Sequence, residues 1–299
     1  MTRTIVAAID GSPASRSAAG WAARAAELRG LPLTLVKAWE PLPDRLAAAT
    51  GSDAATLEHW SGRVLRAVAE EITGRNPGLE VSERLVAGRP AEALAEAAAE
   101  AELLVLGSRG LGRVGGFLVG SVGQAVVASS RTPVVLVRAG QTGAEEYLPA
   151  VPSGGRPVPR PVVLGIDTEK PGEAVTAFAF EEAARRGAPL HVVQSWALPP
   201  YTVHSVAAAV DLYEQYTREM AALLAETLAP WREKFPAVEV VEVSRTGGAA
   251  DHLLDAAAEA SLVVVGRRIR RGPLGVHIGP VTHAMLHHAT TPVAVVAHE

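Results

Sequence analysis

The chain repeats itself, and this duplication limits what it can fold into more than any single motif does. Ile5-Val-Ala-Ala-Ile-Asp10 returns as Val162-Val-Leu-Gly-Ile-Asp167. Leu33-Thr-Leu-Val-Lys-Ala-Trp39 returns as Leu190-His-Val-Val-Gln-Ser-Trp196, and both pairs are offset by 157 residues. Further on, Ala97-Ala-Ala-Glu-Ala-Glu-Leu-Leu-Val-Leu-Gly107 returns as Ala256-Ala-Ala-Glu-Ala-Ser-Leu-Val-Val-Val-Gly266. Arg131-Thr-Pro-Val134 returns as Thr290-Thr-Pro-Val293, and here the offset is 159 residues. A short insertion therefore entered the second copy between these blocks. Gly140 to Arg160 is rich in Gly, Pro and Glu, cannot build a core, and reads as a linker. The expected organisation is a domain over 1–139, a linker over 140–160 and a second domain over 161–299.

Each copy alternates short apolar runs with Ala-rich helical stretches. In the first copy the pattern predicts strands near 3–9, 32–38, 79–86, 103–106 and 134–138, and helices near 13–29, 53–73, 90–101 and 121–129. Ser12-Pro13 is a good helix start, a capping hydroxyl followed by proline in the first turn, and Pro90 plays the same part for the third helix. Alternating βα units with nearly continuous apolar strands imply an α/β fold, a parallel sheet covered by helices on both faces. In such sheets ligands sit at the C-terminal ends of the strands, near the point where the strand order reverses.

Composition removes several classes. The chain has no cysteine, so disulfides, thiolate nucleophiles and cysteine metal sites are excluded. It lacks the run of about 20 apolar residues that a membrane span needs. The start, Met1-Thr-Arg-Thr-Ile-Val6, lacks the layout of a signal peptide, so cytoplasm is the expected location. A net charge of −4 and no interleaved basic and aromatic stripe argue against a nucleic-acid partner. The first copy has 15 basic and 14 acidic residues and the second 11 and 16, so their surfaces have diverged.

The chemistry concentrates in glycines. Leu103-Leu-Val-Leu106 runs into Gly107-Ser-Arg-Gly110; nine residues later come Gly120-Ser121, where the helical stretch over 121–129 begins. Glycine at a strand end lets a backbone come close to a ligand. The free amides and dipole of a helix start favour a negative group, most often phosphate. Ser121 can cap that helix and also donate to a phosphate oxygen. Asp10, at the end of the first strand, suits a ribose diol and would repel phosphate. The first copy is thus expected to hold a phosphorylated ligand.

With Asp10 ending strand one, Gly107-x2-Gly110-x9-Gly120-Ser121 closely resembles the universal stress protein family, and the likeness spans nearly the whole chain as two tandem copies. The resemblance implies two flavodoxin-like domains of the adenine nucleotide alpha hydrolase-like kind, each a five-stranded parallel sheet in the order 3-2-1-4-5. It implies that ATP, with or without magnesium, is the ligand. Asp10 would contact the ribose, Ala8 would line the adenine side, and the backbone of Ala38 would read the adenine edge. Gly107, Gly110, Gly120, Ser121 and Val122 would hold the phosphates. It also implies pairing through the last strand of each domain. Val134-Val-Leu-Val-Arg138 and Val293-Ala-Val-Val296 would then make an intramolecular pseudo-dimer, with a homodimer of whole chains as the other option.

The second copy departs from this pattern. Ile269 replaces the second glycine, and Gly279-Pro280 replaces Gly-Ser, so an amide and a hydroxyl are lost. Arg267, Arg268, Arg270 and Arg271 crowd its loop; they read as a solvated or interdomain basic surface more readily than as phosphate ligands. In the first copy Arg109 and Arg113 are either phosphate neutralisers or ordinary loop arginines. Gly110-Leu-Gly-Arg-Val-Gly115 fits a dinucleotide motif by letter but follows the fourth strand, with no acidic residue about 20 positions later. A phosphate-loop lysine motif is absent, which weakens any kinase or fast ATPase. His283 and His287 have metal-binding spacing without the zincin glutamate, and surface histidines are the expected reading, with no metal site. Trp39 and Trp196 end equivalent strands and cover the core or, for Trp39, flank an adenine.

The expectation is an ATP-binding regulatory module of the stress response, with no catalytic residues and at most weak ATPase activity. Two alternatives stay open: a slow nucleotide hydrolase or phosphotransferase that uses Asp10 to place magnesium, and a nucleotide-free scaffold. The sequence names no signalling partner.

Overall fold

The computed structural model describes residues 3–41, 54–108, 120–149, 157–198, 206–269 and 278–299. By its contacts the chain divides into two compact units, with the boundary between Ala144 and Glu145.

The first unit runs β1 (Ile5–Ala8), α1 (Pro13–Arg29), β2 (Leu33–Trp39), α2 (Ala54–Arg75), β3 (Val81–Ala87), α3 (Pro90–Ala99), β4 (Leu103–Ser108), α4 (Ser121–Ser129) and β5 (Val134–Arg138). Its strands lie in the order β3-β2-β1-β4-β5, as expected. All are parallel, with Ile5 in register with Leu33 on one side and Leu103 on the other. The apolar runs are the core: Ile5, Leu33, Leu35 and Leu103 to Val105 are fully buried. The small side chains of α1 let it lie close on the sheet, with Ala18, Ala19, Ala22, Ala23 and Ala26 all buried. That helix begins as the sequence indicates. Ser12 Oγ accepts the Ser15 N–H at 3.2 Å, Pro13 opens the first turn, and Gly30 ends it in the left-handed region at φ 63°.

The second unit repeats this plan: β6 (Val162–Ile166), α5 (Glu173–Arg186), β7 (Leu190–Trp196), α6 (Val206–Lys234), β8 (Val240–Thr246), α7 (Ala249–Ala257), β9 (Leu262–Arg268), α8 (Pro280–His288) and β10 (Val293–His298). Its sheet has the order β8-β7-β6-β9-β10, the same topology. Val162 is in register with Leu190 and with Leu262, copying Ile5. The two units are therefore tandem flavodoxin-like α/β domains.

The stretch between them differs from a plain linker. Gly143–Glu146 forms a 3-10 turn, and Tyr147 bridges Pro159 in antiparallel fashion. The Leu148 amide donates to the Val158 carbonyl at 2.8 Å, and Arg160 N–H to the Glu146 carbonyl at 2.9 Å. Glu146 also pairs with Arg186 of α5 at 3.7 Å. Proline and glycine here bar a helix but not a two-stranded clip, and the clip packs on the second unit.

Candidate functional site

The strand order reverses between β1 and β4, so the chain leaves a crevice at their C-terminal ends. On the β1 side, Ala8 is half-buried and Asp10 is exposed. Asp10 does not swing freely: its Oδ1 accepts the Ser12 N–H at 2.9 Å. Gly11 makes this turn at φ 91°, and a β-carbon there would stand 2.9 Å from Val64 Cγ1. Both facts require glycine. The Gly11 amide in turn donates to Ser15 Oγ at 3.2 Å, which ties the turn to α1.

On β2, the Val36 carbonyl accepts the Ile9 N–H and the Trp39 carbonyl accepts the Gly88 N–H. Backbone groups alternate sides along a strand. The N–H and C=O of Ala38 therefore face the β1 side, where β1 has already ended. That is the placement needed for Ala38 to read a ligand edge through its backbone.

Next to it stands Lys37, which sequence reasoning passed over because it looks like one polar residue in an apolar run. It is only 7% exposed, and its ammonium donates to the Asp10 carbonyl at a long 3.4 Å. Burial pushes its pKa below the ordinary value, while the Asp10 carboxylate pulls it back up.

On the β4 side, Gly107 proves to be a packing glycine. A β-carbon would stand 2.5 Å from the Ala14 carbonyl carbon and 2.6 Å from the Ser15 nitrogen, so α1 explains its lack of a side chain. Gly110, Arg109, Arg113 and Gly115 lie outside the described residues. Gly120 is the N-cap of α4 at φ −61°, and a β-carbon on it would meet open space. One expectation needs correcting here: Ser121 does not cap the helix. It is the first helical residue, and the cap is Gly120, which has no side chain to offer. The first intrahelical bond runs from Gln124 N–H to the Gly120 carbonyl. The amides of Ser121, Val122 and Gly123 thus precede the ladder. Ala8, Asp10, Ala38 and Gly107 lie at or just past the C-terminal ends of β1, β2 and β4, and Gly120, Ser121 and Val122 lie at the start of the helix that follows β4.

In the second unit the same crevice is met by the chain's own groups. Asp167 Oδ1 accepts the Glu169 N–H at 3.1 Å, as its counterpart does, but Oδ2 also pairs with Arg268 at 3.6 Å. Pro280 opens α8 without an amide, and Thr282 Oγ1 donates to the Gly266 carbonyl at 2.8 Å, which fastens the helix start to the end of β9. In place of Lys37 stands Gln194, whose amide donates to Thr168 and accepts from Ser244. His298 packs against Gly172 and Gly266. Arg270 and Arg271 lie outside the described residues. His283 and His287 do adjoin, with ring centroids 4.3 Å apart on α8. Among the described residues no group of three or more His, Asp or Glu could hold a metal ion, and no helix is long and apolar enough to cross a membrane.

Two tandem flavodoxin-like domains, each with an aspartate just past its first strand and a glycine at the N-cap of its last helix, define a class of duplicated α/β proteins. The sequence profile described as the Universal stress protein family matches residues 1–138 and again 159–297. One universal stress protein of Mycobacterium tuberculosis strain H37Rv is 33% identical over 312 residues, covering 97% of this chain and 96% of its own. One from Mycolicibacterium smegmatis is 32% identical over 299 residues, covering 98% and 96%. The crystal structure of a universal stress protein from Archaeoglobus fulgidus shares the fold across the full length of both chains, with a TM-score of 0.69 at 16% identity. The chain belongs to the universal stress protein family, as a tandem two-domain member.

Proposed function

We propose that the first domain binds one ATP, with or without magnesium, and that the protein acts as a nucleotide-dependent regulatory module rather than as a dedicated enzyme. The observation that carries this is the combination of an oriented Asp10 just past β1 with a glycine N-cap at the start of α4, the helix that follows β4. A ribose diol suits the first, and a phosphate chain suits the amides of the second. Ala38 would present its backbone to the base. The second domain would not repeat this mode, because Arg268 engages Asp167 and Pro280 and Thr282 close the helix start. The absence of a phosphate-loop lysine from the sequence favours slow or no hydrolysis, and cytoplasm remains the proposed location. Titration calorimetry with ATP tests the reading: one site per chain supports it, while two equivalent sites or none sink it. A phosphate-release assay on the same sample separates binding from turnover.

A further inference from the structure

The second unit holds a hydrogen-bonded Ser–His pair that the first unit lacks. Ser195 Oγ lies 3.1 Å from His252 Nδ1. Ser195 is the penultimate residue of β7, so it stands at the strand end where ligands sit in this fold. His252 is in the first turn of α7. The duplication gives the control. The counterparts of Ser195 and His252 are Ala38 and Ala93, so where one copy has two inert methyls the other has a hydroxyl and an imidazole in contact.

The imidazole is also seated. Gly247, at φ 126°, lies against its other edge: a β-carbon there would stand 3.2 Å from Cε1 and 3.3 Å from Nε2. Its counterpart Gly88 has the same left-handed backbone, φ 133°, but open space around it. Both Ser195 and His252 are half-buried, so a small molecule can reach them while bulk water is partly excluded. A general base within about 3.2 Å of a hydroxyl is the geometry that proton abstraction needs.

We propose that Ser195 is a nucleophile served by His252 as general base, and that it accepts acyl groups from activated esters. In this step Ser195 Oγ attacks the ester carbonyl while its proton passes to His252 Nδ1. The bond to the leaving alkoxide or phenoxide then breaks, and the leaving group takes up that proton if it is basic enough. An ester on Ser195 remains, and water returns the serine and frees the acid. The roles require the neutral imidazole with its proton on Nε2. The proposal is independent of the nucleotide reading, since it uses the other unit and none of the crevice residues of the first.

The test is to incubate the full-length protein with p-nitrophenyl acetate, follow p-nitrophenolate release, and map acetylated residues by peptide mass spectrometry. The expected result is a burst of p-nitrophenolate with acetyl on Ser195. The burst vanishes in Ser195→Ala, and acylation is at least tenfold slower in His252→Gln at unchanged thermal stability. Mapping on the unaltered protein reads the outcome even if a variant folds poorly. No acetyl on Ser195, or equal rates in folded His252→Gln, overturns the proposal and leaves the pair as a strand-to-helix staple.

Discussion

Gly107 lies directly beneath Ala14, so close that a β-carbon on it would stand 2.5 Å from the Ala14 carbonyl carbon. The obstacle is helix backbone, which cannot rotate away. In the second domain, a β-carbon on Gly266 would instead meet the ring of His298 at 2.7 Å and a Val175 methyl at 3.2 Å, both side-chain groups that can shift. One glycine position is thus held for two different contacts. Gly107→Ala is expected to lower stability by about 1–3 kcal/mol or more, as overpacking does. Gly266→Ala should cost less. Urea denaturation midpoints of the two variants check this; an equal or reversed order would remove the asymmetry.

Much of this architecture is legible in the sequence because it rests on local chemistry. Ser12-Pro13 and Gly30 bound α1, and the strand order follows from the alternation and the family likeness. The placement of Asp10 just past β1 and of Gly120 at the start of the helix after β4 follows from the same alternation. What stayed hidden depends on distant neighbours. Gly107 reads as a ligand glycine, and its second constraint, the close approach of α1, shows only in the fold. Ser121 reads as a cap, yet the backbone turns helical one residue earlier. Lys37 gains its meaning from Asp10, 27 residues away, and Ser195 from His252, 57 residues away.

Gly120 offers a clean test of the phosphate cradle. Its φ of −61° already suits proline, and a β-carbon meets nothing within 4 Å. Gly120→Pro should therefore fold normally while losing one amide at the helix start. Each hydrogen bond to a charged group contributes roughly 1.5–3 kcal/mol, so ATP affinity should fall at least tenfold. Calorimetry on the folded variant with unchanged affinity would place the phosphates elsewhere.

Asp10 separates a sugar contact from a metal role. If its carboxylate accepts from the ribose, Asp10→Ala weakens ATP and ADP alike, with or without magnesium. The Ser12 amide loses its acceptor and Lys37 loses the nearby negative charge, so the titrations are run on variant protein whose melt is still cooperative. A loss confined to magnesium–ATP would instead assign Asp10 to a metal and revive slow hydrolysis. Parallel titrations of the two nucleotides, each with and without magnesium, give the answer.

His298 is expected to make the second domain acid-sensitive. Burial pushes its pKa below 6.5; Arg268 and Arg267 push in the same direction, against a backbone hydrogen bond to Glu299 and the charge of Asp167. The unfolded chain then binds more protons than the native one between the lowered pKa and 6.5, so stability rises with pH across that window. Below the lowered pKa the loss levels off. Melting temperatures between pH 7.5 and 5 should fall on acidification, and His298→Gln should reduce the slope. A slope that the substitution leaves intact assigns the acid sensitivity to other groups.

Lys37 sets stability against binding. Its side chain is largely buried, and its ammonium donates at long range to the Asp10 carbonyl. Burial lowers its pKa from 10.5, and the nearby Asp10 charge only partly offsets this. Folding thus disfavours the charged form, and stability due to this group rises as pH increases from its lowered pKa towards 10.5. Lys37→Met keeps the volume and removes a charge whose burial folding disfavours, while the Asp10 carboxylate it leaves behind is exposed to water. We expect the variant to melt at or above the original temperature at neutral pH, and to lose the rise in stability at alkaline pH. ATP affinity should drop several-fold, because a positive charge beside the crevice has gone while the ligand carries several negative ones. Thermal melts across pH 7 to 10.5, together with ATP titration, measure both halves. A variant that is less stable yet binds ATP as before would show that Lys37 serves the fold alone.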